Sequence, residues 1–175
     1  MAPTSALGPP PRLDGFALRV CIIHARWNPT LIHALVEGAR SSMLANGVKR
    51  SNIVIHSVPG AYELPFACQT LCTPSLDPLG PQGFDAVIAI GVLIKGETMH
   101  FEYISEAVTQ GLMRVQLDTR IPIVFGVLTL LDKHQGEARC GLGAHEPKHN
   151  HGEDYGRAAV ELGMKRKLWT TGSAE

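Results

Sequence analysis

The sequence predicts a three-layer α/β/α sandwich built on a four-stranded parallel sheet. Three observations carry that prediction. Four apolar runs, at residues 18–25, 52–58, 84–94 and 121–130, are rich in Val and Ile and nearly unbroken. Such runs mark parallel strands covered on both faces. Segments of helical periodicity separate them, and a βαβα order calls for right-handed crossovers. The chain has 175 residues, 45% of them apolar, which is enough to bury a proper core.

Each helix has its own signals. Asn28 stands where the first helix needs an N-cap, Pro29 suits its first turn, and Asn46-Gly47 suits a left-handed stop. Ile32, Val36, Ala39 and Met43 form its apolar stripe. A second helix is predicted over residues 62–71, ending before Pro74. A Pro/Gly-rich connection through Pro74, Pro78, Gly80, Pro81 and Gly83 then leads to the third strand. The third helix is predicted over residues 100–117, with Phe101, Ile104, Val108, Leu112 and Val115 on one face. A short helical turn follows the fourth strand, and a last helix covers residues 152–167. There is no internal repeat and no sign of a second domain. Residues 1–14 read as a flexible arm able to pack on a neighbour, and residues 15–175 as one domain.

Composition narrows the function classes. Sixteen basic side chains balance sixteen acidic ones, so no net field draws the chain to nucleic acid or an anionic membrane. No apolar run reaches the length of a membrane helix. No basic region followed by a long apolar segment marks a secretory signal. The four cysteines, Cys21, Cys68, Cys72 and Cys140, follow no metal or redox spacing. Cys68 and Cys72 share one helical face as small apolar residues, in line with reduced thiols and a cytoplasmic protein.

In parallel sheets of this kind ligands bind outside the carboxyl ends of the strands. Four chemically rich turns fall on that rim. After the first strand, Trp27 offers a plane that either stacks on a flat ring or packs at the sheet edge. After the second, Gly60 and Ala61 leave room for a ligand beside Glu63. The Glu63 carboxylate can accept hydrogen bonds from a ring or sugar, or simply favour a helix start. After the third, Lys95-Gly96-Glu97-Thr98 turns toward a helix whose backbone N–H groups suit a phosphate. Thr98 is equally a good cap. Glu97 repels an anion by charge and helps only through its backbone. His100 begins that helix, and imidazole can both give and take a proton near neutrality. After the fourth, Arg139 can hold a phosphate bidentately or stand solvated on the surface. No G-x-G-x-x-G or Walker lysine motif is present, which disfavours dinucleotides and nucleoside triphosphates. His149 and His151 alternate without a cysteine pair, favouring a cap-and-loop or anion-contact role over zinc.

Four segments together carry a family resemblance: Arg26-Trp27-Asn28; Val58-Pro59-Gly60-Ala61-Tyr62-Glu63-Leu64-Pro65; Ile90 through Tyr103; and Phe125-Gly126-Val127-Leu128-Thr129. Across about residues 15–168 the chain resembles 6,7-dimethyl-8-ribityllumazine synthase, most closely its fungal branch. The resemblance implies a flavodoxin-like fold and condensation of 5-amino-6-(D-ribitylamino)uracil with 3,4-dihydroxy-2-butanone 4-phosphate. It implies that Trp27 stacks on the ring, that Ala61, Tyr62 and Glu63 contact the ribityl chain and ring edge, and that Val92, Leu93 and Ile94 line the ring pocket. Glu97 and Thr98 would take the phosphate with Arg139, His100 would transfer protons, and Phe125 would close the pocket from an adjacent subunit. No metal or cofactor is implied. The implied partners are small-molecule substrates and copies of the chain, in a homo-oligomer resembling members that stop at pentamers. A non-catalytic flavin- or lumazine-binding protein is the competing class. The chain departs from the family at His134-Gln135-Gly136, where relatives commonly read Glu-Gln-Ala. Bacterial members often carry a lysine shortly after the arginine, whereas the first lysine here is Lys148, followed by His149, and neither is assigned that charge.

Overall fold

The computed structural model describes residues 12–73, 83–143 and 149–172. Four strands, β1 (Val20–Ala25), β2 (Ile53–Val58), β3 (Ala86–Ile94) and β4 (Ile123–Leu130), form one parallel sheet in the order β2-β1-β3-β4. Five α-helices cover it: α1 (Pro29–Ala45), α2 (Leu64–Cys72), α3 (His100–Thr119), α4 (Lys133–Arg139) and α5 (His151–Thr171). The strand order reverses between β1 and β3, which places the crevice for a ligand at their carboxyl ends.

Alternation along the strands builds two cores. Val20, Ile22, Ile88, Ile90 and Val92 face α1 and α5, where Leu35, Ala39 and Val160 meet them. Cys21, Ile23, Val87 and Ala89 face α2 and α3, where Leu64, Cys68, Val108 and Leu112 meet them. The three predicted layers follow from this division. All four cysteines are buried and none is in a disulfide, and burial pushes the Cys72 and Cys140 thiols up to about 11.

The strands start one or two residues later than their apolar runs. Leu18, Phe84 and Ile121 are buried but precede the ladders, closing the core at the sheet's amino end. Beside them the carboxylate of Asp85 accepts from Arg19 N at 2.8 Å and lies 3.2 Å from Lys167 Nζ and 4.0 Å from Arg166 Nη1, which anchors the end of α5. Both edge strands depart from the two-sided cover expected of the runs: Ile55 on β2 and Phe125 on β4 are about two-fifths exposed, at 40% and 43%.

Helix ends show where local signals held. Gly47 adopts φ 90° after α1, a conformation open to glycine. The second helix begins later than predicted, because residues Ala61–Glu63 form a 3-10 turn first. Asp132 caps α4, accepting from Gln135 N at 2.9 Å, while Gln135 Oε1 accepts from Leu131 N at 3.0 Å. Asn150 caps α5 by accepting from Gly152 N at 2.8 Å. That last helix runs four residues further than predicted and stops at Gly172, with φ 70°. Asn28 departs most from expectation: its side chain makes no cap bond at all. The predicted arm through residue 11, most of the Pro/Gly-rich connection (74–82) and Lys148 lie outside the described residues.

Candidate active site

A cleft of about 720 Å³ opens at the carboxyl ends of β1, β2 and β3, within the size range of small-molecule sites. Three stretches of chain wall it: Trp27 and Asn28 after β1, Gly60–Glu63 after β2, and Val92–Ile94 at the end of β3, with His100 and Ile104 of α3 completing the rim. Eight of the residues picked out in the sequence therefore meet in one place: Trp27, Ala61, Tyr62, Glu63, Val92, Leu93, Ile94 and His100.

The wall is a plane beside a small-residue floor. Trp27 is 72% exposed and Tyr62 60%, so both rings are free to be covered. A methyl group at Gly60 would lie 3.5 Å from Trp27 Cδ1 and 3.1 Å from Glu63 Oε2, so glycine keeps this corner open. Ala61 is buried against β3, where a side chain at Gly91 would press on it at 3.3 Å. Glu63 takes the local role considered for it: its Oε2 accepts from Gly60 N at 2.8 Å, bracing the turn.

The turn between β3 and α3 holds Glu97 and Thr98, both exposed, on the approach to His100. Thr98 Oγ1 accepts from His100 N at 3.4 Å, a long local contact at the helix start. Lys95, the cation of this turn, is already taken: its Nζ lies 2.5 Å from Glu102 Oε1. The hydrogen bond from Lys95 holds the Glu102 carboxyl below the usual range. Lys95 N also donates to Leu130 O at 2.8 Å, so the turn is clamped on both sides. An anion seated on this turn thus finds backbone N–H groups and no free lysine.

Phe125 and Arg139 do not line this cleft. Phe125 projects from edge strand β4, paired at Ala89. Arg139 is exposed at the end of α4, its guanidinium donating to Gln135 O at 3.2 Å. Near it, His149 Nε2 sits 2.5 Å from Asp154 Oδ2, which commits that ring to α5. His151 is held below its ordinary range chiefly by burial, with His149 and Arg139 adding to the effect and Asp154 opposing it. Two wall residues escaped the sequence reading in that role, Ile104, read only as part of the apolar face of the third helix, and Asn28, read only as a cap. The left-handed tolerance of asparagine was the available signal for the second.

The sequence model of the 6,7-dimethyl-8-ribityllumazine synthase family matches residues 17–167. A 6,7-dimethyl-8-ribityllumazine synthase of Pyricularia oryzae is 50% identical, with 96% of this chain and 98% of that protein aligned. The enzyme of the same name from Schizosaccharomyces pombe is 51% identical over 90% of this chain and 94% of its own length. The bacterial one from Mycolicibacterium vanbaalenii is 41% identical over 81% and 83% respectively. The matched span contains every wall of the cleft and both core layers, and on that footing the chain belongs to the 6,7-dimethyl-8-ribityllumazine synthase family.

Proposed function

We propose that this protein condenses 5-amino-6-(D-ribitylamino)uracil with 3,4-dihydroxy-2-butanone 4-phosphate, releasing 6,7-dimethyl-8-ribityllumazine, phosphate and water. The single observation that carries the reading is the convergence of Trp27, Gly60–Glu63, Val92–Ile94 and His100 on one cleft at the strand-order switch. Family membership adds the substrate identities.

The geometry suits the chemistry. Trp27 covers one face of the pyrimidinedione, and the end of β3 reads its edge. Ala61, Tyr62 and Glu63 meet the ribityl chain, with Glu63 Oε1 accepting from a hydroxyl. Glu97 and Thr98 receive the phosphate through their backbone N–H groups at the start of α3. The uracil amine attacks the ketone and water leaves to give an imine. Loss of phosphate yields an enol that tautomerises to a ketone, and attack of the ribitylamino nitrogen on that carbonyl closes the ring and expels water. His100 moves protons in these steps, and holding two reactants together supplies much of the acceleration. Purified protein mixed with both substrates should form lumazine, followed by its absorbance, well above the uncatalysed background; a rate equal to background sinks the proposal.

Ring stacking has a direct test. Trp27→Ala is expected to weaken lumazine binding about tenfold, from lost stacking and lost apolar cover together. An unaltered dissociation constant in that variant rejects stacking.

The site is proposed to be shared between copies of the chain in a cytoplasmic homo-oligomer, a pentamer by likeness to its family. Phe125 and Arg139 would enter from the neighbouring subunit, and the amino-terminal arm would add a strand there. Two observations support this. The anion turn has no free lysine of its own, and Phe125 is exposed on an edge strand. Coexpressing the impaired Arg139→Ala and His100→Ala chains should restore about a quarter of parental activity, because random mixing leaves that share of head-to-tail interfaces with both residues intact. Mixed oligomers as inactive as either variant alone would place both residues in one subunit's site.

A further inference from the structure

We infer that Asn28 is a positioning residue that sets the width of the ring slot, by tying the Trp27 turn to the end of β3. The inference rests on the lumazine synthase reading of the cleft and assigns a role there to a residue outside the proposed ligand contacts.

The ladder between β1 and β3 ends at His24↔Ile90, whereas β3 stays paired with β4 as far as Ile94↔Leu130. From Val92 onward β3 has therefore lost its neighbour on the β1 side. Backbone polar groups left bare in a half-buried wall need other partners. Asn28 Nδ2 provides one, donating to Val92 O at 3.2 Å across 64 residues of sequence.

The backbone of Asn28 is equally committed. It is left-handed, with φ 59° and ψ 57°, and only one other described non-glycine residue, Arg120, has a positive φ. Such a conformation costs free energy, which surrounding structure must offset, and it concentrates at functional sites. Asn28 O accepts from Leu31 N at 3.0 Å and Ile32 N at 3.1 Å, opening α1. One residue thus joins the start of α1, the Trp27 turn and the ring-reading segment of β3. A residue needed only to begin the helix would direct its side chain to the first-turn N–H groups, and this one does not. Trp27 and Val92–Ile94 line the same cleft. A tie between the Trp27 turn and the end of β3 fixes how far apart these two walls stand.

Two variants separate the tie from the backbone. Asn28→Gly keeps the left-handed conformation and removes the amide. Asn28→Asp keeps the size and turns the donor into an acceptor facing a carbonyl. Both are made in a Trp169→Phe background, which leaves Trp27 as the sole indole, and titrated with 6,7-dimethyl-8-ribityllumazine by tryptophan quenching. The dissociation constant is expected to rise about fivefold to tenfold in both, the effect of one lost hydrogen bond and a loosened slot. KM for the ribitylaminouracil should rise in step, while kcat stays within about twofold, as befits lost binding without lost chemistry. Unchanged dissociation constants overturn the inference. So does a loss confined to Asn28→Asp, which would reflect the new charge, or a fall in kcat with KM unmoved. A parent protein that neither binds the lumazine nor turns over would refute the enzymatic reading itself, a result distinct from normal binding in the parent and both variants.

Discussion

Replacing His100 with alanine is expected to lower kcat about a hundredfold while leaving lumazine binding within about threefold of the parent, since general acid–base groups contribute about 10²–10⁴. The lower end of that range applies for a physical reason. The amine and the phosphorylated ketone react without help once they meet, so proximity in the cleft survives the loss of the imidazole. Binding survives because the ring is held elsewhere, by Trp27 and by the end of β3. His100 is exposed on the first turn of α3, where removing its ring leaves no core cavity. Stopped-flow turnover and equilibrium titration on the same preparation separate the two effects. Unchanged turnover removes His100 from the chemistry, and a collapse of binding makes it a ligand contact instead.

Gly156→Ala is expected to lower stability by about 2 kcal/mol, from the usual cost of overpacking set against a small gain in helix propensity. A methyl group there would lie 2.4 Å from Ala39 O and 2.9 Å from Ser42 Cβ, contacts that a backbone carbonyl cannot sidestep. One turn earlier, a methyl at Gly152 would stand 2.2 Å from Leu35 O. The two glycines lie four apart on α5, on the face that meets α1, and they let the helices approach until backbone nearly touches backbone. Parting them also loosens Leu35, Ala39 and Val160, which are fully buried between this pair and the sheet. For a chain of this size the change corresponds to a fall of roughly 4–8 °C in Tm. Calorimetry on Gly156→Ala tests it, and a Tm equal to or above the parent's would mean that the helices separate without loss. The same crossing carries His149 to His151 at the start of α5, so the variant should disturb the surroundings of Arg139 before it reaches the cleft.

Much of this molecule could be read one residue at a time. Unbroken Val- and Ile-rich runs are the only economical way to bury both faces of parallel strands, so the sheet was legible. Gly47 and the apolar stripe of α1 act within a few residues, and each took the place that local physics assigns. The rim residues were legible as well, because the carboxyl ends of such strands must point to one side. Trp27, Glu63, Val92 and His100 meet there for that reason alone.

What the chain determined by itself was the set of elements, the layer each face seeks and the chemistry collected at one end of the sheet. Only the tertiary structure decided how those residues are used. Asn28 looks like a cap in sequence, yet its amide serves Val92, because β1 ends before β3 does and leaves a carbonyl to be met. Lys95 looks like an anion's cation, yet it is spent on Glu102 in the first turn of α3. Gly152 and Gly156 look like weak points of a helix, yet they are where two helices come closest. Each of these depends on which distant backbone arrives beside the residue, and periodicity carries no information about that.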